Sequence, residues 1–213
     1  MGDENWYRRK TWTATDRIEF NERNARSRGA RSKAQYARIQ AYELQQVGTA
    51  SAIAGAIELL EQILIQWSSE AELAAVYQQY GQCQLLTGKP NGAISSFRKA
   101  FEAQRAKPGS KTTTHLDFGW LCITQPIPEL HKEVLGVLDE FQYPQSFPIH
   151  TFKDAAIRAI IHSSEKESEI ARMHAERALS AIGGRSIFKR HAGIGLVGQV
   201  DPSIEKKLRA IAA

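Results

Sequence analysis

Between Ser69 and Pro108 apolar residues recur at helical spacing in two blocks with a break between them, which restricts this part of the chain to a pair of packed helices. Leu73, Val76, Tyr77 and Tyr80 fall at i, i+3, i+4 and i+7, one face of a helix. Ser69 and Glu72 read as an S-x-x-E capping box at its start. Gly88 stands where a C-terminal cap is expected, and Pro90 prevents continuation. Asn91 is expected to cap the second helix, in which Ala93, Ile94, Phe97, Ala100 and Phe101 share one side before Pro108 and Gly109 end it. Gly81 and Ala93 are small enough to let the two helices approach closely, and Phe97 is large enough to fill the groove beside them.

In its order of large, small and aromatic positions (Tyr77, Tyr80, Gly81, Ala93, Phe97, Ala100) this hairpin resembles a tetratricopeptide (TPR) repeat, over about 40 of the 213 residues. Two departures stand out. Gln84 replaces the aromatic that the family carries near the end of its first helix, and the closing proline comes late, at Pro108. Any antiparallel helical hairpin remains the alternative. The Tyr36–Ala41 segment and the stretch from Gly193 to Val197 also resemble bacterial TPR-like proteins with no assigned activity, and that likeness implies no function.

The resemblance implies an all-α fold: a short TPR-like α-solenoid of antiparallel helix pairs, with a C-terminal capping helix. It also implies that the first helix of each pair lines a concave face that holds a partner protein. On that mapping Gln78 and Gln82 lie on the face, with Leu85 and Leu86 beyond. The family's carboxylate clamp uses Lys and Asn where Gln78 and Gln82 stand, so capture of an acidic C-terminus is not implied. Carboxamides suit hydrogen bonds to an extended backbone instead. Ala56, Leu60 and Ile63 precede Ala93, Phe97 and Ala100 by 37 residues each, which points to a preceding, degenerate repeat. By that offset Gln45 matches Gln82, and Arg38 lies two turns before Gln45 on the same side. Simple exposure on a solvated face is the competing reading for all four.

Three segments are expected: a basic N-terminal arm over residues 1–31 that packs on the body, a helical repeat domain over 32–183, and a glycine-containing loop with a capping helix over 184–213. Trp6, Tyr7, Trp12, Ile18 and Phe20 interrupt the arm's charges and call for a surface to pack on. Thr15 or Asp16 is expected to cap a helix through Asn24. Helices are expected over Ser32–Val47, ended by Gly48, and over Ser51–Trp67, where Ile53, Ala56, Ile57, Leu60, Leu64 and Trp67 form a stripe. Residues from Thr112 to Ile123 fit either a short helix or a buried strand, with helix favoured in an otherwise helical chain. Pro128 suits the first turn of a helix through Phe141, and Tyr143 to Pro148 reads as a turn. Thr151 with Asp154, and Ser164 with Glu167, resemble two further capping boxes. They complete four helical pairs. Asp201 and Pro202 start a final helix with Ile204, Leu208 and Ile211 inward.

The net charge of +5 comes entirely from the first 38 residues, which hold ten Lys or Arg against five acids; the other 175 balance, 18 against 18. Nucleic-acid binding is therefore the first alternative to a protein-binding scaffold. It would use Arg8, Arg9 and Lys10 of the arm with Arg185, Lys189 and Arg190 near the C-terminus. The most apolar window, from Ile53 to Trp67, contains Glu58, Glu61 and Gln62, so no membrane span is expected. The N-terminus lacks an apolar export segment, and Cys83 and Cys122 read as buried thiols of a reducing cytosol, which together predict a cytoplasmic protein.

Enzyme signatures are weak. Gly193, Gly195 and Gly198 spell G-x-G-x-x-G, but Asp201-Pro202 starts a new helix too soon for a dinucleotide unit. His162 with Glu165, and His174 with Glu176, lack the spacing of a metal motif and read as ordinary helix residues. Arg185, Ser186 and His191 match only a loose ribonuclease-like pattern. No cofactor or metal is expected and the chain is expected not to be an enzyme, a helical hydrolase being the second alternative. Homo-oligomerisation through apolar residues of the end helices stays open.

Overall fold

The structure, a computed structural model, describes residues 5–142, 147–186, 188 and 190–213. The described residues are all-α, with no strand among them, and adjacent helices pack against each other as a helical repeat requires. None of their helices is long and apolar enough to cross a membrane. Two compact units divide the chain, Met1–Thr114 and His115–Ala213.

The first unit contains α1 (Ala14–Ala25), α2 (Gly29–Val47), α3 (Ala50–Gln66), α4 (Glu70–Leu86) and α5 (Pro90–Ala106). Helix α2 pairs with α3 and α4 with α5, while α4 also packs on α3 and α2. The close approach of α4 to α5 is made at Gly81, where a Cβ would lie 2.6 Å from the Phe97 ring. Gln84, standing in for an aromatic, rests against Gly92 and accepts a hydrogen bond from Ser96 Oγ at 2.7 Å. Ala34, Ala37, Ala41 and Leu44 of α2, Ile53, Ala56, Leu60 and Ile63 of α3, and Val76 and Cys83 of α4 form one core with Phe20.

Several helix starts differ from the expected ones. Ser69 does precede α4 but its side chain caps nothing: the Glu72 N–H donates to the Ser69 carbonyl at 2.8 Å, and the Glu72 carboxylate turns to Arg38 of α2 instead of back to the helix start. Pro90 opens α5 as its first residue, with Lys89 before it, which leaves Asn91 inside the first turn and not at the cap. Thr13, not Thr15 or Asp16, caps α1; Asp16 completes the box from the third position. Helix α2 begins three residues before Ser32, at Gly29.

The second unit contains most of α6 (Thr114–Thr124), a 3-10 turn (Pro128–Leu130) leading into α7 (His131–Glu140), then α8 (Pro148–Ser164), α9 (Ser168–Ala181) and α10 (Pro202–Ala212). The segment open to strand or helix is thus helical. Residues 143–146 of the expected turn lie outside the described residues. Helices α8 and α9 form a hairpin, and α10 packs on both, capped by Asp201 as expected. Helix α6 meets α7 and α8 at Gly119, where a Cβ would touch Val134 and Ile157. Thr151 and Asp154 do not start α8, because Pro148 supplies the first helical position three residues earlier. Ser164 ends α8 instead of starting α9, whose cap position is held by Glu167. The glycine triplet lies in a turn-rich segment without a strand; Gly195 is left-handed (φ 74°) and sits against the Phe147 ring.

Candidate functional site

Arg38 and Gln45 of α2 lie two turns apart, and Gln78 and Gln82 of α4 lie one turn apart, so each pair faces one way. The packing of α4 on α2 brings the two faces together. Gln45 Nε2 donates to Gln82 Oε1 at 3.3 Å across 37 residues of sequence. Arg38 Nε donates to Glu72 Oε2 at 2.9 Å, and Gln78 Nε2 donates to Thr113 Oγ1 at 2.9 Å. All four are half-buried, so the amides form a seam at the surface of the first unit. The Oε1 of Gln45 is buried with no hydrogen-bond partner among the described residues. Tyr42, four residues after Arg38, and Leu86, four after Gln82, extend the same faces and are about half exposed. The result is a polar strip with apolar side chains at its margin.

The arm is organised around its aromatic residues. Trp6 and Tyr7 pack edge to face, and both lie against the Tyr36 ring of α2. Trp12 fits over Gly55 of α3, where a Cβ would come within 2.4 Å of the indole. Fully buried Gln40 holds the Arg9 backbone from both sides: its amide nitrogen donates to Arg9 O at 2.8 Å and its oxygen accepts from Arg9 N at 2.9 Å.

Four cations of the arm, Arg8, Arg9, Lys10 and Arg17, face carboxylates. Arg8 and Lys10 both pair with Glu43, Arg9 bridges Asp16 and Glu19, and Arg17 meets Glu58. The hydrogen bond from Lys10, more than the one from Arg8, holds the Glu43 carboxyl below its ordinary range. Burial alone would raise Asp16; hydrogen bonds from Thr13 and from the Arg9 guanidinium outweigh it and hold this carboxyl far below the usual value. Arg185 and Arg190 are exposed in the segment before α10, and Lys189 lies outside the described residues.

A second cluster lies in the other unit, at residues that no site motif in the sequence marks. His150, Asp154, Arg158 and His162 recur every fourth residue along α8 and therefore share a face. Asp154 and Arg158 are only 5% and 8% exposed. Arg158 donates through Nε to Asp154 at 3.2 Å, and its Nη2 lies 2.7 Å from Asp139 of α7. Burial pushes the His115 imidazole of α6 down to about 4, against the opposing pull of Asp154 and Asp117. His174 of α9 stacks on His162 with ring centroids 5.8 Å apart and planes within 10°. Burial, then the Arg158 charge, lowers His174 as well. A strict four-residue recurrence of ionisable side chains inside an apolar helix is the sequence signal for this stripe. As part of a helix start Asp154 would stand outside that stripe.

No protein-family model, curated protein or solved structure matches the chain.

Proposed function

We propose that the first unit is a TPR-like binding module, and that the protein is a non-enzymatic, cytoplasmic scaffold holding an extended segment of a partner protein along the α2–α4 seam. The Gln45–Gln82 hydrogen bond is the observation that carries this reading. Two carboxamides at equivalent positions of successive hairpins form a ladder of donors and acceptors, the chemistry that an extended backbone offers in return. The Gln45 oxygen has no hydrogen-bond partner among the described residues, and exposed Tyr42 and Leu86 supply apolar contact beside it. Selection of random peptides on the purified chain tests this. Enriched peptides should bind the Gln82→Ala and Gln78→Ala variants roughly tenfold more weakly, one hydrogen bond to a charged or well-ordered group being worth about 1.4 kcal/mol. Peptides that bind both variants as tightly as the parent would refute the site. Nucleic-acid binding by the arm is the weaker reading, since Arg8, Arg9 and Lys10 are paired with carboxylates.

A second reading, a hydrolase site, draws on the buried Arg158 between Asp139 and Asp154 in the other unit, with His115 pushed down by burial nearby. Perturbed, buried ionisable groups collect at catalytic sites. Turnover of a phosphodiester or ester substrate that Arg158→Lys abolishes without unfolding would favour this reading over the scaffold.

A further inference from the structure

The turn between α8 and α9 gathers three metal-ligating side chains. His162 lies in the last turn of α8, Glu165 is the residue just after that helix, and Glu167 is the residue just before α9. The chain reverses between the two glutamates at Lys166, a non-glycine residue in the left-handed region (φ 64°), which costs on the order of 1 kcal/mol wherever it is imposed. Three backbone hydrogen bonds fix the reversal: Glu165 N to Ile161 O at 3.1 Å, Lys166 N to Ser163 O at 3.2 Å and Glu167 N to His162 O at 2.9 Å. One ligand atom from each of His162, Glu165 and Glu167 then lies within 4.8 Å of the other two. The His162 Nδ1 already meets the Glu167 carboxylate.

The histidine side of this cluster is held from a separate helix. The ring of His174 stacks parallel on that of His162, which limits how the His162 ring can turn. The Nδ1 of His174 is itself buried with no hydrogen-bond partner among the described residues. His162 is half-buried while both carboxylates are exposed, so the cluster has a sheltered inner side and an open outer side.

We propose that this turn binds a divalent transition metal ion through His162, Glu165 and Glu167. An imidazole with two carboxylates suits zinc and its neighbours better than magnesium or calcium, which take oxygen ligands throughout. Ligand distances of about 2.0–2.2 Å call for donor atoms roughly 3 Å apart, a spacing that small side-chain rotations reach from the observed cluster. Three protein ligands leave a fourth position for water or an acidic group of a partner. The alternative for the same atoms is a plain imidazolium–carboxylate ion pair, and binding separates the two. The site belongs to the second unit and the α2–α4 seam to the first, and the assignment does not depend on the scaffold reading.

Calorimetric titration of the metal-stripped full chain with zinc chloride tests the assignment, with magnesium chloride as the comparison. The expected result is one zinc ion per chain and no binding of magnesium. Glu165→Gln with Glu167→Gln, and separately His162→Asn, should each weaken zinc by about tenfold or more. Glu176→Gln, an exposed α9 acid paired with Arg172, should leave it unchanged. Since Glu165 and Glu167 are exposed, their variants should keep the parent's circular dichroism. Absence of zinc binding, or zinc held equally by the parent and the double glutamine variant, overturns the site.

Discussion

The Glu72 carboxylate of α4 accepts the Arg38 Nε–H of α2 at 2.9 Å, and the glutamate side chain is 11% exposed against 30% for the arginine. The pair joins the first helices of two successive hairpins. Removing the arginine strands a nearly buried carboxylate, whereas removing the carboxylate leaves a cation that can turn to water. Arg38→Ala should therefore destabilise the chain by roughly 1–3 kcal/mol, and Glu72→Gln by less. Urea unfolding of both single variants and the double variant would give the coupling directly. Additive losses would mean that the contact does not join the hairpins.

The seating of Trp12 on Gly55 predicts how the arm is released. Gly55→Ala places a Cβ within 2.4 Å of the indole, and the clash falls on the ring near its root, which has little freedom to give way. The substitution should cost roughly 1–3 kcal/mol by overpacking. It should also open the arm to trypsin at Arg8, Arg9 and Arg17 while the helices downstream remain protected. Unchanged digestion kinetics would contradict the seating.

His115 predicts an acid sensitivity. Its folded value of about 4 lies below that of a free imidazole, so the unfolded chain takes up the proton first as pH falls. The stability that depends on a neutral His115 is complete above the free value near 6.5. It declines as pH drops from there towards 4, by up to roughly 3 kcal/mol. His115→Gln should flatten that part of the stability profile. An equally steep profile in the variant would assign the sensitivity elsewhere.

Cys83 is fully buried, and burial pushes its thiol up to about 12. Almost no thiolate exists at neutral pH, so iodoacetamide should leave Cys83 unmodified in the folded protein and label it readily in urea. Mass spectrometry of the native and unfolded samples reads both states.

The apolar stripes and small-residue seats were legible because packing fixes them wherever two helices touch. Gly81 against Phe97 follows from size alone, and α3 follows from its spaced Ile, Ala and Leu residues. Polar positions were harder to read, because their partners come from other helices. Glu72 fits a capping box in isolation, and Arg38, 34 residues away, takes it elsewhere. Asp154 fits a helix start until Pro148 is seen to supply one first, after which it becomes part of the α8 stripe. Formal charge alone marks the arm as basic, yet Glu43, Glu58, Asp16 and Glu19 sit across from Arg8, Arg9, Lys10 and Arg17 once the chain is folded. The division at Thr114 left no composition break to read.

Gln40 grips the main chain of Arg9 and leaves the guanidinium to others. A clasp that recognises a peptide group is indifferent to the side chain it carries. This one contact therefore survives a change of side chain at position 9, proline apart, although the Asp16 and Glu19 pairs would be lost, whereas position 40 has no such latitude: Gln40→Glu would set a second acceptor against the Arg9 carbonyl and undo the clasp.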